Sequence, residues 1–216
     1  MPMEVTFLGT GTSVGVPMIG CHCAVCSSKD PRNTRRRTSL YVRTEETAFV
    51  IDTSPDFRQQ ALDFGIERVD AVVFTHAHAD HIFGFDDIRR FNTLQKRVIP
   101  TYADADTLAD IRRVFNYIGN TPSPYGLYRP LVEFIEVTGP FGIGDVRLVP
   151  LDVRHGRKMT GYLIEHGGRR VGYVPDCHTM PEATVRALRG VDLMILDALR
   201  YTPHPSHICV DESLAL

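Results

Sequence analysis

Short apolar runs separated by polar breaks recur along the chain. VTFLG (5–9), SLYVR (39–43), AFVID (48–52), AVVFT (71–75), VRLVPLDV (146–153), GYLIE (161–165), RVGYV (170–174) and DLMIL (192–196) read as strands bounded by Gly, Pro or Asp. AFVID, AVVFT and DLMIL are nearly unbroken apolar, which predicts strands covered on both faces. PDFRQQALDFG (55–65) and PEATVRALRG (181–190) begin with Pro and stop at Gly, as helices do. Residues 86–96 and 104–117 carry apolar side chains at helical spacing. Strands come in pairs and are then interrupted by helices, which predicts an α/β architecture of stacked sheets flanked by helices. There is no internal repeat and no low-complexity linker, so residues 1–216 read as one domain. GNTPSPYGLYRP (119–130) reads as an exposed loop.

Composition narrows the class. The chain has 216 residues, 43% hydrophobic and 23% charged, as ordinary soluble globular proteins do. A formal charge of -2 argues against a general polyanion binder, so no strong nucleic-acid signal is present. No apolar stretch is long enough to span a membrane, and the N-terminus lacks a signal-peptide pattern, which leads to the expectation of a cytoplasmic protein. Reduced cysteines fit that compartment.

The chemistry begins at FTHAHADHIFG (74–84), where His76, His78, Asp80 and His81 fall within six positions, directly after an apolar run. Imidazole and carboxylate are good ligands for zinc, manganese and iron. On an extended segment His76 and His78 face the same side. Asp80 and His81 follow where the strand becomes a loop, and Gly84 is expected to supply a sharp bend. His155 ends VRLVPLDVRHG and Asp176 ends RVGYVPD, so both join the metal candidates at strand ends.

THAHADH after a hydrophobic strand resembles the HxHxDH signature of the metallo-β-lactamase fold, with His155 and Asp176 matching that fold's later His and Asp. FLGTGTS, CHCAVC, IDTSPDFRQQ and LDALRYTPHPSH narrow the resemblance to the branch containing the phosphoribosyl cyclic phosphate phosphodiesterase of phosphonate breakdown. The resemblance implies a four-layer αββα sandwich. It implies that His76, His78 and His155 hold one metal, that Asp80 and His81 hold a second, and that Asp176 bridges both. It places one histidine of TPHPSH over the active site; His207 is preferred to His204, which is hemmed between two prolines. The family's further histidine for the second metal lies beyond a helix that begins here near residue 210. VDESLAL (210–216) begins like that helix, and the chain therefore reads as cut short.

Cys21, Cys23 and Cys26 place three thiols within six residues, a soft donor set suited to a structural zinc. In the resembling branch a C-terminal histidine supplies the fourth ligand. His22 should point away, and Cys177 and Cys209 are weaker candidates. Asp52, at the end of AFVID, is a candidate to hydrogen-bond a ligand histidine. GTGTS (9–13) lacks the ending of a phosphate loop and reads as a tight turn, and RNTRRR (32–37) reads as a solvated basic run.

These expectations combine into a metal-dependent hydrolase with two divalent ions, Zn or Mn, and a structural zinc. The preferred reaction is hydrolysis of a small cyclic or nucleotide-like phosphodiester by a hydroxide shared between the metals, with Asp80 orienting it and His207 protonating the leaving oxygen. Alternatives are a thioester or lactam hydrolase of the same fold, or a metal-binding but inactive short form. The expected partner is a small phosphate ester; no membrane is implied, and a homodimer is compatible with the chain.

Overall fold

The computed structural model describes residues 2–119 and 128–216, so most of the GNTPSPYGLYRP loop lies outside the described residues. The chain divides into two compact units.

The first unit comprises Glu4–Arg43 and Ala48–Glu136. Its strands are β1 (Glu4–Gly9), β2 (Ser39–Arg43), β3 (Ala48–Ile51), β4 (Ala71–Val73), β5 (Ile99–Ala103) and β6 (Val132–Glu136). They form a six-stranded sheet in that order. β1, β2 and β3 pair antiparallel, and β3 to β6 run parallel. Parallel neighbours need crossovers. These are supplied by α1 (Phe57–Asp63), by α2 (Ala79–Ile82) with α3 (Ile88–Gln95), and by α4 (Ala105–Val114). The Asp104 carboxylate caps α4 by accepting from Thr107 N–H at 2.8 Å. One core joins Val50 and Val72 of the sheet to Phe57, Ile88, Phe91, Leu108 and Ile111 of the helices. Its aromatic contact between Phe74 and Phe85 is edge-on, with centroids 5.1 Å apart. β3 and β4 are buried along their whole lengths, as their unbroken apolar runs require.

The second unit comprises Met1–Met3, Thr44–Thr47 and Val137–Leu216. It contains β7 (Phe141–Ile143), β8 (Val146–His155), β9 (Arg157–His166), β10 (Arg169–Val174), α5 (Glu182–Leu188), β11 (Leu193–Leu196) and α6 (Val210–Leu214). Its five-stranded sheet has the order β11-β10-β9-β8-β7. β7 to β10 form an antiparallel meander, and α5 carries the chain across to the parallel strand β11. The β8–β9 turn is closed by Gly156 at φ 68, a left-handed backbone that glycine adopts without a Cβ penalty. Leu151, Val153, Met159, Leu163, Val174 and Leu188 form its core.

Two mixed sheets with helical crossovers are thus the α/β arrangement expected, with differences in detail. β5, β6 and β7 escape the apolar-run reading. Pro100 disguises IPTYA as a break, and Glu133 and Glu136 cut the apolar run of VEFIE short. DLMIL is not covered on both faces: β11 is an edge strand, and Leu193 is 40% exposed. The strand of AVVFT ends at Val73, with Phe74 N–H still donating to Tyr102 O, so His76 and His78 lie beyond it. Arg36 and Arg37 of the basic run are not simply solvated; they pair with Asp63 and Asp56.

Candidate metal centre

The first unit gathers its donors just past the ends of β3 and β4. Asp52 follows β3 directly, is fully buried and holds φ at 61°, a left-handed value that aspartate tolerates better than most residues. Its Oδ1 accepts from Thr75 N–H at 2.9 Å, while Oδ2 accepts from the Thr75 hydroxyl and from His81 Nδ1–H, both at 2.8 Å. The Thr75 hydroxyl spends its proton on Asp52, so its oxygen accepts from His76 Nδ1–H at 3.0 Å. One carboxylate therefore orients two imidazoles, His81 directly and His76 through Thr75. Burial pushes the Asp52 carboxyl above the usual range, against the pull of His81 and Thr75.

These bonds turn the opposite ring nitrogens toward the other donors. His76 Nε2 faces His78 Nδ1 at 2.9 Å. The His76 and His81 rings lie 4.2 Å apart, and His81 Nε2 is 3.5 Å from Asp80 Oδ2. The four predicted donors of FTHAHADHIFG thus converge within one unit. Asp80 and His81 sit on the single helical turn α2 rather than on a loop, which corrects the expected local structure. Gly84 also has a different reason from the one expected. Its φ is -87°, so no special backbone is needed, but a Cβ there would lie 2.1 Å from Ser54 O and 2.6 Å from Phe57 Cβ.

The second unit builds a parallel arrangement. His155 ends β8, and its Nδ1–H donates to Ser206 O at 2.7 Å. Its Nε2 lies 3.4 Å from Asp176 Oδ2, two residues past β10. Asp197 directly follows β11 and accepts on Oδ2 from Cys177 N–H at 2.9 Å and from His207 Nδ1–H at 2.6 Å. The His207 ring is 4.3 Å from that of His155 and 5.1 Å from that of His204.

A divalent cation fits this donor chemistry. His81 and His155 each commit Nδ1–H to an oxygen, which fixes the tautomer and leaves Nε2 as the basic atom, as metal-bound histidines require. Two imidazole nitrogens facing each other, with carboxylates at hand, suit zinc, manganese or iron.

Cys21, Cys23 and Cys26 also converge, with sulfurs within 4.8 Å of one another. Cys23 Sγ accepts from Cys26 N–H at 3.4 Å, and Cys26 Sγ from Met18 N–H at 3.4 Å. The Cys26 N–H, then Cys21 and Cys26 thiols, pull the Cys23 thiol down to about 7. His22 is not part of this cluster, and Cys177 and Cys209 are buried in the second unit.

Asp52 was a sequence candidate and does bind a candidate ligand. Thr75, Asp197 and Ser206 were not. For Asp197 the signal was present: it ends the apolar run DLMIL as Asp52 ends AFVID. Ser206 acts through its backbone, which no residue pattern reveals. Among the described residues no helix is long and apolar enough to cross a membrane.

Residues 47–216 match the family model described as Beta-lactamase superfamily domain. A crystal structure of a new diphosphatase from the PhnP family is similar over 100% of this chain and 81% of its own, at 39% identity and TM-score 0.88. An octanoyltransferase of Porphyromonas gingivalis is 38% identical over 98% of this chain; the chain spans only 42% of that protein's length. Zn(2+)-bound PqqB from Methylobacterium extorquens, at 22% identity and TM-score 0.74 over 93% of this chain and 74% of its own, shares the fold. The diphosphatase relative and the His/Asp donors together support a metal-dependent hydrolase. The chain belongs to the beta-lactamase superfamily, and within it resembles the PhnP-family branch.

Proposed function

We propose that the protein is a metal-dependent phosphodiesterase acting on a small cyclic or nucleotide-like phosphate diester. The observation that carries this reading is the 39% identity to a PhnP-family diphosphatase along the whole chain. In this reading, as the family resemblance implies, His76, His78 and His155 would hold one cation, Asp80 and His81 would hold a second, and Asp176 would serve both. Divalent cations there supply Lewis acidity, neutralising phosphoryl charge and making water a competent nucleophile near neutral pH.

The chain's own residues do the rest. Asp52 and Thr75 hold His76 and His81 in the tautomers that present a lone pair. Asp80 orients the attacking water. The P–O bond to the leaving group breaks as the water oxygen bonds to phosphorus, and the water's proton passes to solvent. Protonated His207 donates from Nε2 to the leaving oxygen, and Asp197 on its Nδ1–H stabilises the imidazolium. Cys21, Cys23 and Cys26 would hold a structural zinc that fixes the N-terminal loop.

The test combines elemental analysis with turnover of phosphodiester, thioester and lactam substrates. Bound metal together with phosphodiester hydrolysis that collapses in His76→Ala is expected. Turnover of thioester or lactam alone, or phosphodiester turnover indifferent to His76→Ala, would overturn the reading.

A further inference from the structure

Ser206 sets the tautomers of two histidines in opposite senses. Its carbonyl accepts from His155 Nδ1–H at 2.7 Å, whereas its backbone N–H donates to His204 Nδ1 at 3.3 Å. His155 is left with its lone pair on Nε2, 3.4 Å from Asp176 Oδ2. His204 is left with its proton on Nε2, as a donor. Among the described residues that Nε2–H has no hydrogen-bond partner.

The loop that carries His204 is fastened at its neck and within. At its neck Leu199 N–H donates to Ile208 O at 3.2 Å, and Val210 N–H to Arg200 O at 3.0 Å. Within it, Arg200 Nε donates to Thr202 O at 3.0 Å and Nη2 to Pro203 O. Pro203 and Pro205 restrict the backbone on either side. The unpartnered donor is thus held in place, with its ring 5.1 Å from that of His207. Desolvation, then the Arg200 cation, holds His204 below the ordinary histidine range, which keeps it a neutral donor.

We propose that His204 is a specificity residue whose Nε2–H hydrogen-bonds a phosphoryl oxygen on the leaving group, beside the oxygen that His207 protonates. This rests on the phosphodiesterase reading above. The division of labour follows from the two Nδ1 partners. A carboxylate behind His207 favours a ring that carries and gives up a proton, while the Ser206 N–H behind His204, beside a hydroxyl that can donate to the same Nδ1, disfavours the second proton that a general acid needs. A fixed neutral donor discriminates by what it leaves unpaired: a leaving group without an acceptor forfeits the bond.

The experiment uses the metal-loaded protein and two probes. UDP-glucose has a leaving group with phosphoryl oxygens; bis(p-nitrophenyl) phosphate has none on its leaving group. His204→Ala is expected to lower kcat/KM for UDP-glucose about tenfold more than for the other probe, chiefly through KM. His204→Gln keeps an N–H donor and is expected to recover much of that difference. Nitrogen NMR of the wild-type protein is expected to show the His204 proton on Nε2. Equal losses on both probes, no loss on UDP-glucose, turnover of bis(p-nitrophenyl) phosphate alone, or a proton on Nδ1 would overturn the assignment. Wild-type protein that hydrolyses neither probe would overturn the phosphodiesterase reading and this inference with it, and is distinguished by needing no variant.

Discussion

Asp197 does in the second unit what Asp52 does in the first. Each follows an apolar strand directly, and each donates its own N–H to the carbonyl of the last residue in the parallel neighbour, Val174 and Val73, at 2.9 Å. Each then accepts a backbone N–H just beyond that neighbour, from Cys177 and Thr75, and an imidazole Nδ1–H, from His207 and His81. The same strand-end device orients a candidate ligand in one unit and a candidate proton donor in the other. The difference in role makes the two aspartates separable by experiment.

Asp52→Asn keeps a residue that tolerates the left-handed backbone, but places an amide where two acceptor oxygens are used. Metal affinity is expected to fall about 10- to 100-fold, because His81 and His76 lose the group that fixes their tautomers. Competition with a chelating dye measures this. Unchanged affinity would show that the carboxylate does not orient the ligands.

Asp197→Asn leaves metal content intact and removes the carboxylate behind His207. The turnover number for a phosphodiester is expected to drop by about 100-fold or more, with little change in KM. Steady-state kinetics beside elemental analysis decides it. Loss of metal in parallel would reassign Asp197 to structure.

Gly84→Ala tests the approach of the α2 segment to Ser54 and Phe57. The new Cβ would sit 2.1 Å from a backbone oxygen, which cannot rotate away. A loss of about 1–3 kcal/mol or more in denaturant unfolding is expected, with weaker metal binding because Asp80 and His81 lie on the turn that must shift. Wild-type stability and metal content would contradict the packing described.

Tyr41 gives a pH prediction. Burial first, then Asp70 and Glu4, outweigh Arg43 and Arg68 and push its phenol up to about 12, against about 10 in an unfolded chain. The neutral hydroxyl donates to Arg68 O at 2.8 Å. Above pH about 10 the unfolded chain binds fewer protons than the folded one, so stability falls as pH rises. The contribution is complete below pH about 10 and lost towards about 12. Tyr41→Phe is expected to flatten that alkaline slope in chemical unfolding at a series of pH values. An unchanged slope would place the titration elsewhere.

Apolar periodicity alone located β1 to β4, β8 to β11 and the longer helices, because burial on a sheet or helix face must be written into residue type. It could not reveal β5, whose Pro100 disguises it, or β6, whose apolar run Glu133 and Glu136 interrupt. FTHAHADHIFG was legible as a set of candidate metal donors because close spacing puts donors together whatever the surrounding fold. The same holds for Cys21, Cys23 and Cys26. Which nitrogen of each histidine carries the proton, however, depends on partners far away in sequence. Asp52 reaches His81 across 29 positions, and His155 reaches Ser206 across 51. Residue types along the chain determined which groups could bind metal or carry protons. Tertiary structure decided which atom of each does so, because a tautomer is set by the hydrogen bond on the opposite ring nitrogen, and that bond exists only once the chain is folded.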